Sequence, residues 1–183
     1  MNKFISKELY CKLVAIDLNL GNDMLLPIIN LLIDKEIPIS MQEIHTQGVF
    51  GATLKDRIVI NSFFLMRFDD NFSCTETDYS NLIFGLLHET AHFMRIAKGK
   101  GGDINSHDFK EFFDTILEEE RVANKYALIM YHKLLGERCS SMDFQLSTFY
   151  NNIPRMKNMY RGMHQAMVAS GKDYFEFFED MIS

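Results

Sequence analysis

His88-Glu89-Thr90-Ala91-His92, entered from the apolar run Leu82-Ile83-Phe84-Gly85-Leu86-Leu87, is the stretch that decides what this chain can be. In a helix, positions i and i+4 lie on one face, one turn apart. His88 and His92 then present two imidazoles side by side, able to share one Zn²⁺ at about 2.0–2.1 Å from each nitrogen. Glu89 is the next residue round the helix. It is poorly placed as a third ligand, but it can reach a water on the metal side and take its proton. Burying two imidazoles and a carboxylate together for packing alone would demand several hydrogen-bond partners.

A catalytic zinc site takes three protein ligands and leaves one position for water. Two downstream residues compete for the third place. Glu120 opens Glu120-Arg121-Val122-Ala123-Asn124, 28 residues after His92, and would complete a His₂Glu set. Asn124, one turn further along the same face, can then hydrogen-bond a ligand histidine. His107 lies 15 residues after His92 and would complete a His₃ set. In one straight helix over 107–135 the two candidates lie about 20 Å apart, so only one can ligate. Glu120 is preferred, because Leu117, Val122 and Ala123 give it apolar neighbours. His107 follows Ser106, a candidate helix cap, where a histidine needs no ligand role. Glu118-Glu119-Glu120 as a solvated acidic face stays open as the alternative.

Outward from the motif, the spacing predicts a helix from about Asp78 to Ala97, ended by Gly99-Lys100-Gly101-Gly102. That glycine segment lacks the GxxxxGK[ST] pattern of a phosphate loop and reads as a mobile loop near the site. Upstream, residues 3–18 form a first helix with Leu9, Leu13 and Ile16 on one side. A second, capped by Asn22 or Asp23 with Pro27 in its first turn, runs to Asp34. Ile39–His45, Val49–Leu54 and Arg57–Asn61 read as strands, with Lys55-Asp56 as the turn between the last two. Residues 68–79 read as a loop. Downstream, Ser106 caps a helical region whose apolar periodicity runs from Phe109, Phe112, Phe113, Ile116 and Leu117 through Val122, Tyr126, Ile129 and Met130 to Leu135. One helix or two both fit. Gly136 stops it, and further helices are expected over about 153–169 and 173–182. The fold class is α+β, mostly helical with a small sheet.

The 183 residues fit a single domain, and 47% apolar content supplies a sizeable core. A net charge of −6 argues against stable nucleic-acid binding. Cys11, Cys74 and Cys139 are odd in number and form no CxxC pair, so they read as free thiols in a reducing compartment. The start of the chain has no signal-peptide h-region, and no apolar stretch reaches membrane-spanning length. The expectation is a cytoplasmic protein without membrane contact, or one exported without a cleavable signal.

HETAHF followed by ERVANKYALIM resembles the ImmA/IrrE-type zinc metallopeptidases, a branch of the gluzincins. That family pairs an HExxH helix with a downstream E-x-E-A-N-x-F-A segment, matched here by Glu120, Ala123, Asn124, Tyr126 and Ala127. Val122 stands where the family has a second acidic residue, and Arg57–Asn61 resembles its strand before the histidine helix. The match covers roughly residues 48–131 and does not extend to the first 40 or last 45. The resemblance implies a zincin-like metallopeptidase domain over 1–183. It implies Zn²⁺ on His88, His92 and Glu120, Glu89 as general base, Asn124 behind a ligand, and a protein or peptide substrate. The spacing of His92 and His107 is also reminiscent of SprT-type proteases, whose basic character this chain lacks. A zinc-containing regulatory protein with little proteolytic activity is the other alternative. Tyr160 and His164, at i and i+4, with Arg155 and Arg161 nearby, read as surface or core side chains before oxyanion donors. His45 and His132 carry no site role, and Met159, Met163 and Met167 read as a packing stripe.

Overall fold

The computed structural model describes residues 3–20, 23–45, 49–68, 75–100, 102, 104–136 and 142–182. Asn22, Cys74, Cys139, Gly101 and the centre of the 68–79 loop lie outside them. Two helices open the chain, α1 (Lys7–Leu20) and α2 (Leu25–Asp34). α1 buries Leu9, Leu13 and Ile16 as their spacing predicts. The start of α2 differs from expectation. Asp23 takes no capping role there, and the carboxylate of Asp17 on α1 accepts hydrogen bonds from the Leu25 and Leu26 amides at 3.0 Å. The Tyr79 hydroxyl donates to the same carboxylate. Asp17 is almost fully buried, and these three donors offset the cost of burying it.

The sheet has three strands in the order β1 (Ile39–Gln42), β3 (Ile58–Asn61), β2 (Gly51–Thr53). β1 runs parallel to β3, while β2 and β3 form a hairpin closed over Lys55-Asp56, with Thr53 opposite Ile58. β3 is buried along its whole length, which suits Ile58-Val59-Ile60 at the centre of the sheet. Asn61 ends it as a structural hub. Its amide donates to the Ile44 and Val49 carbonyls, and its oxygen caps α3 (Ser62–Leu65) through the Phe63 amide. These bonds hold the segments flanking β1 and β2, and both strands are shorter than expected.

The histidine helix α4 (Glu76–Ile96) starts at a capping box between Thr75 and Asp78, two residues before the predicted start. Gly99 follows with φ of 62°, the left-handed conformation expected past a helix end. α5 (Phe109–Leu135) is one unbroken helix, capped by Asp108 through the Glu111 amide rather than by Ser106. The Ser106 hydroxyl instead bonds the Glu111 carboxylate and accepts from the Asp108 amide. The inner face of the second half of α5 is Ala123, Ala127, Tyr131 and Leu135, whereas Tyr126 and Ile129 are exposed. α6 (Met142–Ser170) begins well before the expected Ile153 and runs through Pro154. A proline costs one backbone hydrogen bond within a helix, and turns on both sides of it persist here. α7 (Tyr174–Ile182) closes the chain. No helix among the described residues is long and apolar enough to cross a membrane.

The packing places the site. One apolar cluster joins α1, α2, the sheet, α4 and the second half of α5. Another joins Phe112, Phe113 and Ile116 of α5 to Tyr160 and Met167 of α6. Glu120 falls on α5 between the two, facing the middle of α4.

Candidate metal centre

α4 and α5 pack along one another, and close approach is possible because Ala91 on α4 and Ala123 and Ala127 on α5 are small and buried. Gly85 plays a similar part toward the sheet. A Cβ there would lie 2.6 Å from the Phe50 ring, so only glycine lets the segment before β2 sit this tightly on α4.

Across the α4–α5 contact, His88, His92 and Glu120 turn toward one another. The Nε2 atoms of His88 and His92 are 3.1 Å apart. The Glu120 carboxylate reaches both, with Oε2 3.2 Å from His88 Nε2 and Oε1 3.6 Å from His92 Nε2. Within the trio the ligand atoms all lie inside 4.8 Å of one another. Donors held about 2.0–2.1 Å from a tetrahedral Zn²⁺ are themselves roughly 3.3–3.5 Å apart. The separations here fit one shared divalent cation, and two imidazole nitrogens with one carboxylate are a donor set that suits zinc.

Asn124 sets the orientation of the first imidazole. Its Oδ1 lies 2.8 Å from His88 Nδ1. A side-chain carbonyl only accepts, so Nδ1 carries the proton and, in the neutral ring, the Nε2 lone pair faces the centre. Asn124→Ala is expected to weaken zinc binding about 10–100-fold, read by competition with a chromophoric chelator. Wild-type affinity in that variant would remove Asn124 from this role.

Without metal the trio is an ion pair. Burial lowers the pKa of His88, but the neighbouring Glu120 carboxylate, helped by Glu89, outweighs it and raises the value to about 9. Burial acts to raise Glu120, and the imidazoles of His88 and His92 more than reverse this, holding it well below the usual carboxylate range. A proton on His88 therefore supplies the positive charge that a cation would bring.

Glu89 is buried at the edge of this group, with 9% of its surface exposed. Its Oε2 accepts from the Thr53 hydroxyl at 2.7 Å, and that hydroxyl also lies 3.1 Å from the Glu89 carbonyl oxygen. Thr53 belongs to β2, so the edge strand is tied directly to the candidate base. A cavity of about 350 Å³ opens beside Glu89, His92 and Glu120, with Tyr160 and Tyr174 in its wall. Burial, reinforced by Glu120, pushes both phenols far above their usual pKa, so both stay protonated.

After α4, Lys100 and Gly102 are hydrogen-bonded on this side. Arg95 Nε and Nη2 each reach the Glu119 carboxylate at 2.9 Å, and Nη2 also bonds the Lys100 carbonyl at 2.8 Å. The Gly102 amide donates to Glu119 as well, at 3.2 Å. His107 is exposed and stands apart from the group of His88, His92 and Glu120. His45 and His132 are exposed too. His164 is buried, packs on the Phe112 ring at 4.8 Å, and lies 2.9 Å from the Ser106 carbonyl oxygen. It anchors the start of α5 and is not part of the centre.

Sequence reasoning missed Thr53, Glu119 and Tyr174. Thr53 lies in a predicted strand, but its partner is 36 residues away and nothing local marks the pair. Glu119 sits in a run of three glutamates, and only the fold separates it from exposed Glu118. Comparison with family models, curated proteins and solved structures returns no match to this chain.

Proposed function

We propose that this chain is a zinc-dependent endopeptidase with a zincin-like site, as its resemblance to the ImmA/IrrE-type metallopeptidases implies. The observation that carries the reading is the convergence of His88, His92 and Glu120 beside a buried Glu89 carboxylate. Zinc, when bound, supplies Lewis acidity and an acidified water. Glu89 takes the proton of the attacking water and passes it to the leaving amine. The Thr53 hydroxyl holds one Glu89 oxygen, which leaves the other to meet the water. Tyr160, kept protonated, offers an O–H to the scissile carbonyl oxygen as that atom gains negative charge. β2 is an edge strand of the sheet beside this centre, so a substrate backbone can add to it as a further strand.

The test is incubation of the zinc-loaded protein with a proteome-derived peptide library, with new termini read by mass spectrometry. Cleavage is expected, lost on chelation and restored by added zinc. A zinc-loaded protein that cuts no peptide in the library would sink the peptidase reading.

A further inference from the structure

We infer that Arg95 and Glu119 are positioning residues for the metal centre: their ion pair sets α5 against α4 so that Glu120 meets His88 and His92. The inference rests on the metal-ligand assignment in the reading above and not on peptide cleavage. Arg95 lies three residues after His92, about one turn further along the same face of α4. Glu119 is the residue before Glu120 on α5. The pair therefore crosses the helix contact beside the three ligands, and each member is a near neighbour of one of them.

The guanidinium meets the carboxylate with both arms of its fork. Arg95 Nε and Nη2 each lie 2.9 Å from a different Glu119 oxygen. A two-point contact of this kind fixes direction as well as distance. Backbone groups add to it, the Lys100 carbonyl accepting from Arg95 Nη2 at 2.8 Å and the Gly102 amide donating to Glu119 at 3.2 Å. The two side chains are only 18% and 16% exposed, against 55% and 58% for the Arg121–Glu118 pair on the same helix. Desolvation offsets much of the attraction in a buried ion pair, so its better-attested use is to specify register.

Register is what this centre requires. Glu120 Oε2 and Oε1 lie 3.2 and 3.6 Å from the Nε2 atoms of His88 and His92. A one-residue shift of α5 means about 1.5 Å of rise and about 100° of rotation, which takes the carboxylate out of reach. The seam between the ligands is made by Ala91 and Ala123, side chains too small to interlock. Holding Glu119 on Arg95 fixes the height and rotation of the helix at the very next residue. Glu119 also lines the same cavity as His92 and Glu120. Engaged by Arg95, it does not compete with Glu120 for the cation.

The test uses the full chain, stripped of metal and titrated with Zn²⁺ or Co²⁺. Arg95→Met alone strands a buried carboxylate and costs stability. The measured variants are therefore Glu119→Gln and the double variant Arg95→Met/Glu119→Gln, with Arg121→Met as control. Zinc affinity, read by chelator competition, is expected to fall about 10–100-fold in both pair variants and to hold at the wild-type value in the control. The two losses should match rather than add, because the pair acts as a unit. Bound Co²⁺ is expected to show altered visible absorption in both, since its bands follow ligand geometry. Thermal unfolding of the metal-free proteins is measured alongside. A pair that only stabilises the fold lowers the melting temperature and leaves zinc affinity and the Co²⁺ spectrum unchanged, and that result overturns the inference. An equal loss of affinity in Arg121→Met overturns it too. A wild-type chain that binds no zinc removes the metal centre and the inference with it. Weakened zinc binding in the pair variants, beside a zinc-loaded wild type that cuts no peptide, keeps the inference and removes the peptidase reading.

Discussion

Glu89→Gln is expected to keep full zinc content while lowering kcat/KM for peptide cleavage by about 10²–10⁴-fold. The substitution is nearly isosteric, and the amide oxygen can still accept from Thr53. What it lacks is a basic oxygen, so the attacking water loses its proton acceptor. Zinc content is insulated from the change because Glu89 is outside the trio of His88, His92 and Glu120. The measurement is elemental analysis of the purified variant beside its rate on a peptide that the wild type cuts. The same variant separates two classes of protein. A zinc-containing regulator that binds its partner without cutting it needs no base at this position. Its biological activity would survive Glu89→Gln, and that outcome would retire the peptidase reading.

The local parts of this site were legible because helix periodicity acts over four residues. The i, i+4 spacing placed His88 beside His92, and the same spacing placed Asn124 one turn beyond Glu120. Sequence alone preferred Glu120 but left His107 in competition, because that choice depends on how α5 lies across α4. An unbroken α5 brings Glu120 to the histidines and carries His107 out to an exposed position. The three strands and their hairpin were also readable, since Ile58-Val59-Ile60 is a short buried apolar run ahead of a helix. What stayed hidden were contacts fixed by tertiary packing. Asp17 caps a helix that begins eight residues later, and Arg95 reaches 24 residues on to Glu119. The periodicity assigned to α5 failed at Tyr126 and Ile129 for a related reason. The face that packs on α4 favours small residues at 123 and 127, so size and not hydrophobicity marks it.

Glu120→Ala is expected to weaken zinc binding by more than the roughly 10–100-fold typical of losing a group behind a ligand. His107→Ala is expected to leave it unchanged. Elemental analysis and chelator competition on both variants check this, and zinc lost only from the His107 variant would overturn the ligand assignment. The coupling between Glu120 and His88 adds a pH signature. His88 titrates near 9 in the metal-free fold, above its ordinary value of 6.5. Its contribution to metal-free stability is thus complete below about 6.5 and is lost as pH rises through about 9. Glu120 is held below its ordinary range, so its contribution is present above about 4.5 and is lost in acid. Zinc binding works in the opposite direction, because the metal must displace the proton on His88. The His88 share of proton release should be about one per zinc at pH 7 and fall toward none above pH 9, on top of the proton lost by the acidified water, as read by calorimetry in buffers of different ionisation enthalpy. Between those limits zinc affinity should rise up to about tenfold per pH unit. The stabilisation that zinc gives against heat should grow over the same range, just where the metal-free ion pair is failing. In Glu120→Ala the main group that raises His88 is gone, so burial lowers its pKa against only the smaller raising effects of Glu89 and Asn124. The His88 share of proton release at pH 7 should then fall, even where enough zinc is added to force binding. Undiminished release in that variant would show that the displaced proton does not come from the His88–Glu120 pair.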